Sequence, residues 1–294
     1  MAIRKRTIGE SIFDSINVAL LVLMSLTFVF PFYIVLINSV TAEKFLTAGS
    51  VSFWPQEFSV TAYRVLFLTN SRLVRSFLVS ISATTFGTLQ GMLVITLFGY
   101  AMSKDRFPFK NTIMILVIIT MMFSGGLIPT FLIFQSLKIT NSFYVLSIFN
   151  AFNAGNMIFI RNYFMSVPRS LSESARLDGA DDFKTLTKIM IPLSKPMLAC
   201  IALFTAVAIY NDWTTPMFYN NQEKWEPLQL LLKRVLTRIE SLSTAGMAIR
   251  TKDTLPSAGI RMATVVVVIA PILMIYPFVQ KYFIAGTWTG SLKE

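Results

Sequence analysis

The side chains able to do chemistry are gathered at two places in this chain. The first is Glu173–Pro196, ESARLDGADDFKTLTKIMIPLSKP, which sets four acids (Glu173, Asp178, Asp181, Asp182) and four bases (Arg176, Lys184, Lys188, Lys195) between two very apolar stretches. Balanced charges make a poor surface for anionic lipid. They suit a protein groove, which seats an apolar face while its rim pairs the charges. The second is Tyr210-Asn211-Asp212-Trp213, an acid deep in an apolar run beside an amide and two aromatics. Acids within membrane spans face a cavity or a partner. Aromatic faces stack on the C–H faces of sugars, and amides bond their hydroxyls. Asp212 can equally serve helix termination or packing, and both readings stand open here.

Other chemistry is excluded by composition. The chain has no histidine, so imidazole base catalysis and histidine metal sites are absent. Cys200 is the single cysteine and forms neither an internal disulfide nor a metal site. No Gly-x-x-x-x-Gly-Lys-Ser/Thr loop occurs, so the chain is not its own ATPase. An intramembrane enzyme would pair acids, histidines or serines at depth, and only one such acid is present. No catalytic residue and no metal ligand is expected.

These groups must be positioned by membrane helices. Of the 294 residues, 54% are hydrophobic and 14% charged, against about 25% charged in soluble domains. The net charge of +11 fits bases that face anionic headgroups and set topology better than it fits nucleic acid. A span needs about 20 apolar residues. The gaps between charges predict six: 15–42, 76–103, 111–137, 139–160, 196–219 and 262–280. The first is too long for a cleaved signal core. Six spans put both termini on one side. The basic N-terminus and the tight basic loop Lys104–Lys110 place that side in the cytoplasm. Prolines 31, 129, 216, 271 and 277 fall inside spans, where they bend helices or serve as hinges.

With that topology, Glu173–Pro196 is cytoplasmic. Ser170 and Glu173 are spaced as a capping box behind Pro168. Asp178-Gly179 predicts a left-handed stop, and Asp181 the start of a second helix carrying Phe183, Leu186, Ile189 and Met190. Pro192 and Pro196 end it. The expectation is a helix–turn–helix lying along the membrane surface.

Glu173-Ser174-Ala175, Asp178-Gly179-Ala180, Phe183, Ile189, Pro192 and Pro196 resemble the EAA loop of permease subunits of type I bacterial ABC importers, with Ser174 where that family usually has alanine. Ser166–Ser170, Tyr210–Trp213 and Tyr276–Gly286 are similar to the carbohydrate-uptake branch, the smaller oligosaccharide permease above all. The resemblance implies an all-α polytopic membrane protein of six transmembrane helices, residues 1–294 forming a single permease domain in the bacterial inner membrane. It implies that the loop, within 168–196, is a coupling helix seated on an ATP-binding subunit. It also implies a second homologous permease, two copies of that ATPase, an extracellular solute-binding protein, and a carbohydrate substrate. ATP and magnesium would belong to the ATPase, with no cofactor in this chain. An uncoupled channel or membrane enzyme is the rival class.

Three segments remain. Ser124–Leu127 is a close-packing or unwound point within a span. Residues 220–261 form a long extracellular segment, read as docking the binding protein rather than as a spacer. In the tail from Gly286, Trp288 is a large aromatic to leave in water. By loose likeness to a related importer, Trp288 and Ser291 are expected to touch the ATPase, the alternative being a frayed end.

Overall fold

The structure, a computed structural model, describes residues 8–46, 52–69, 71–244 and 257–291. Every predicted apolar run falls on helical backbone, because a helix satisfies all its own polar groups where lipid offers no partner. Among the described residues the only β pairing is an isolated antiparallel bridge, Thr41 to Phe58.

Among the described residues three helices are each long and apolar enough to cross a membrane: α1 (Ile8–Ser39), α2 (Ser71–Ser103) and, within its first part, a final helix running from Ser257 to Ser291. The expected third span is a pair, α3 (Lys110–Met122) and α4 (Leu127–Ser136), bent by 118° at the predicted break. The expected fourth span is not one helix but two, α5 (Phe143–Ile148) and α6 (Ala154–Ser166). The reason is Asn153, whose Oδ1 accepts from the Asn156 amide at 3.0 Å and starts a new helix. Next come α7 (Arg169–Leu177) and α8 (Asp182–Leu193), which passes through a wide π turn at Leu186–Met190. An 84° bend leads into α9 (Lys195–Asn211). Then follow α10 (Thr214–Tyr219), α11 (Leu228–Thr244) and the final helix, α12. The sixth helix thus extends beyond the expected Gln280, without a break at Pro271 or Pro277.

The chain divides into two compact units. The first comprises residues 1–70 and 238–269. The large apolar side chains of α1 from Ile12 to Phe32 are exposed, as expected of a lipid-facing span. Its Ser25 and Thr27 hydroxyls donate to carbonyls four residues back, so neither hydroxyl is left unpaired toward lipid. At the end of α1, buried Asn38 donates to the Ile34 and Ser52 carbonyls and accepts from the Ser52 amide. Glu43 then places one carboxylate oxygen on the Ala258 amide at 3.0 Å and the other on Gly259 at 2.9 Å. That satisfies orphan donors and complements the positive N-terminal end of α12.

The second unit comprises residues 71–237 and 270–294, with α2 packed against α5, α6 and α9. Its main cluster gathers Ile95, Tyr100, Met157, Ile160, Phe164, Leu186, Met190 and Ile201. A smaller one joins Val79, Ala83, Val145, Leu146 and Tyr219. Helices in lipid gain little from hydrophobic burial and depend on close van der Waals approach. Gly87 and Gly91, one turn apart on α2, provide it. A Cβ on Gly91 would stand 2.1 Å from the Ala151 carbonyl oxygen, and one on Gly87 would stand 2.8 Å from that of Ser147.

Gly91→Val will therefore lower the thermal unfolding temperature of the purified chain. Overpacking costs about 1–3 kcal/mol, and here the obstacle is backbone, which cannot rotate away. Gly9→Ala, with nothing within 4 Å, is the control. Equal melting of the two variants would show that the approach is not tight.

Candidate functional site

The hairpin α7–α8 is built from local backbone chemistry. Helix α7 starts at Arg169 behind Pro168, and no side chain caps it. The expected capping box of Ser170 and Glu173 does not form, because the helix has already begun one residue before Ser170. Its end matches expectation. The Ala180 amide donates to the Ala175 carbonyl at 2.9 Å and the Gly179 amide to Arg176 at 3.0 Å, with Gly179 at φ 78°. This is the paired closure that glycine permits most readily. Asp181 Oδ1 then accepts from the Lys184 amide at 2.7 Å and opens α8.

One face of the hairpin is fastened to its own unit. Ala175, Thr185, Leu186 and Met190 are buried, the last two against Tyr100, Phe164 and Ile201. Asp182 bonds Lys104 and Arg176, each at 3.1 Å, and Arg169 reaches Asp105 at 2.8 Å. Lys104, and after it Arg176, hold the Asp182 carboxyl below the usual carboxylate range. A depressed pKa stabilises the fold above the unfolded value of about 3.9 and is lost as pH falls through the folded value. This anchor therefore does not switch near neutrality.

The other face has no partner among the described residues. Glu173, Ser174, Asp178, Gly179 and Pro192 are exposed, and Ala180 and Ile189 half-buried. Leu177 is 90% exposed and Phe183 67%. Sequence reasoning named Phe183 but missed Leu177, whose signal was a lone leucine set between Arg176 and Asp178. A cavity of about 430 Å³ lies under the hairpin, lined by Tyr100, Lys104, Arg106, Phe164, Arg169 and Glu173 among others.

The second site lies at the far end of α9. The helix ends at Asn211 because Asp212 takes extended backbone and turns its carboxylate onto the next helix. Asp212 Oδ1 accepts from the Thr214 and Thr215 amides, both at 3.0 Å, and Oδ2 accepts from Asn150 Nδ2 at 2.6 Å. Around it is a cavity of about 460 Å³ lined by Asn150, Asn211, Asp212, Trp213, Thr214 and Phe149 among others. A second cavity of about 430 Å³ shares Phe149, Asn150 and Ala208 with the first. It adds Asn153, Asn156, Phe204 and Thr205. Three asparagines three residues apart, Asn150, Asn153 and Asn156, thus line these two adjoining cavities. Asn156 also donates to Thr205 at 3.4 Å. The sequence reading passed over these asparagines, although their recurrence inside an apolar run was the available signal.

Of the four residues predicted for a substrate path, Asn211, Asp212 and Trp213 line the first cavity. Tyr210 is buried and lines neither cavity. Trp288 and Ser291 sit on the α12 backbone, but their side chains lie outside the described residues. Among the described residues no group of acids or cysteines could hold a metal.

No family model matches the chain. It is 36% identical over 283 residues to the polygalacturonan/rhamnogalacturonan transport system permease protein YtcP of Bacillus subtilis, covering 96% of this chain and 98% of that one. It is 26% identical to the arabinooligosaccharides transport system permease protein AraQ of the same organism, covering 92% of each. Its fold superposes on the structure of a bacterial ABC transporter involved in the import of the acidic polysaccharide alginate. There the TM-score is 0.81 and the identity 31%, over 95% of this chain and 99% of that one.

Asp212→Ala will destabilise the chain more than Asn150→Ala, because it frees two backbone amides as well as the asparagine. These bonds are part-buried or exposed, and each contributes about 0.5–1.5 kcal/mol. The double variant should cost less than the sum of the two. Strict additivity in thermal unfolding would show that the two side chains do not interact.

Proposed function

Because the chain belongs to the carbohydrate-uptake permeases of ABC importers, we propose that with a second, homologous permease it forms the membrane path for an oligosaccharide. Its hairpin transmits the motion of an ATP-binding partner. The observation that carries this reading is the exposed pair Leu177 and Phe183 on a hairpin whose opposite face is bonded down. A large apolar side chain that is 90% exposed on a rigid element is a contact awaiting a partner, and an interface centre of this kind supplies most of the binding energy.

On this reading residues 168–196 are the coupling element, and the loop lies in the cytoplasm with both termini. Two ATPase copies hold ATP and magnesium, and residues 220–261 face outward toward a solute-binding protein. The Trp288 and Ser291 stretch contacts the ATPase. A binding protein delivers sugar to the outward cavity at Asp212. Closure of the ATPase dimer pushes the hairpin, and α9, continuous with it through the bend at Ser194, carries the displacement to the asparagine-lined cavities. The relative named for arabinooligosaccharides supports an oligosaccharide as the cargo.

Leu177→Asp and Phe183→Asp will each weaken association of the ATPase by about tenfold or more, equivalent to 1.4 kcal/mol, and abolish substrate-stimulated hydrolysis. Gly179→Pro will do the same, since proline holds φ near −65° where the turn needs 78°. The measurement is co-purification and ATPase assay of the assembled complex. Unchanged association and hydrolysis in all three variants would end the coupling role.

A further inference from the structure

We propose that Lys233, standing over Trp213 at the rim of the Asp212 cavity, reads a carboxylate on the incoming sugar, so that the oligosaccharide carried is an acidic one, built from uronates. This rests on the oligosaccharide reading of the path and adds the substrate's charge to it.

Most of the charges near the cavity are already committed. Asp212, the acid in its wall, has both oxygens occupied by two backbone amides and Asn150. Its charge faces the start of α10, where the helix end is positive, so it does not dominate the opening. Two arginines on this side of the unit are committed as well. The buried carboxylate of Glu226 takes Arg72 Nε at 2.7 Å and Arg234 Nη1 at 2.7 Å, and Glu223 adds a contact to Arg72 at 3.1 Å.

Lys233 is different. It adjoins Arg234 in sequence but is directed elsewhere, with Nζ 5.4 Å from the Trp213 ring centroid. No carboxylate among the described residues pairs with it. Gln229, one turn earlier on α11 and therefore on the same face, donates from Nε2 to Asn211 Oδ1 at 3.0 Å. The rim thus combines an aromatic plane, a side-chain amide pair and a cation within one short arc.

A neutral sugar uses only the plane and the amides. A uronate uses all three. Its C–H face covers the indole while the carboxylate, projecting from the ring edge, meets the ammonium. The energies favour the exchange. An exposed cation–π contact is worth about 0.5–1 kcal/mol, whereas a hydrogen bond to a charged group is worth about 1.5–3 kcal/mol. Lys233 therefore leaves the ring for a carboxylate, and the ring face it uncovers becomes available to the sugar.

The test uses the chain assembled with its second permease in lipid nanodiscs and two probes of identical stereochemistry, trigalacturonate and its trimethyl ester, followed by calorimetry at low salt. The free acid should bind about tenfold tighter than the ester, equivalent to 1.4 kcal/mol. That preference should vanish in Lys233→Gln, survive in Lys233→Arg, and fade as salt is raised. Equal binding of acid and ester to the wild type, or a preference that persists in Lys233→Gln, overturns the charge-reading role and leaves the oligosaccharide path standing. Binding of neither probe at any salt overturns both.

Discussion

An unpaired carboxylate among membrane helices costs several kcal/mol, and the way Asp212 avoids that cost organises the upper half of the second unit. Its two oxygens stop α9, start α10 and hold Asn150. For Asn150 to reach it, the chain between α5 and α6 must pass close over α2, and it passes where α2 has Gly87 and Gly91 in place of side chains. The close approach, the broken helix and the hydrogen-bonded acid are thus one arrangement. The cavities follow from it, since backbone leaving a helix in this region has to be lined by polar side chains.

The hairpin at the other end of α9 follows the opposite logic. There several polar groups hold the element still. Asp182 joins two bases, Asp181 and Gly179 close the turn, and Leu186 and Met190 enter the main core. What remains outward includes two large apolar side chains, Leu177 and Phe183, beside the exposed charges of Glu173 and Asp178. An element fixed on one side and bare on the other can move only with the helix it is joined to. Helix α9, at 17 residues, spans about 25 Å. That is the distance over which the proposed coupling has to act, and an unbroken helix covers it without a joint.

Charge is handled in the same economical way around Glu226. Burying Glu226 between two arginines leaves a network whose members are all paired, as buried charges require. Removing those arginines from the reckoning is what makes Lys233 and Trp213 stand out.

Much of this protein was legible in its sequence. Uncharged runs of about 20 residues have one stable outcome in lipid, so the helices and the membrane class followed directly. The hairpin's turn was equally local: Gly179 and Asp181 act on backbone groups within five residues of themselves, and such interactions can be read along the chain. The expected capping box was local too, but Pro168 starts the helix before Ser170 and leaves that serine nothing to cap. What the sequence left undecided depends on residues far apart in it. Whether Asp212 packs or lines a path required Asn150, 62 positions away. Where the chain between α5 and α6 runs required the glycines of α2 against Ala151. Which side of the hairpin is free, and that Leu177 rather than Leu186 faces out, required the core that Tyr100, Phe164 and Ile201 form beneath it. Hydropathy records how much a residue avoids water, and only packing decides which neighbour it avoids water with.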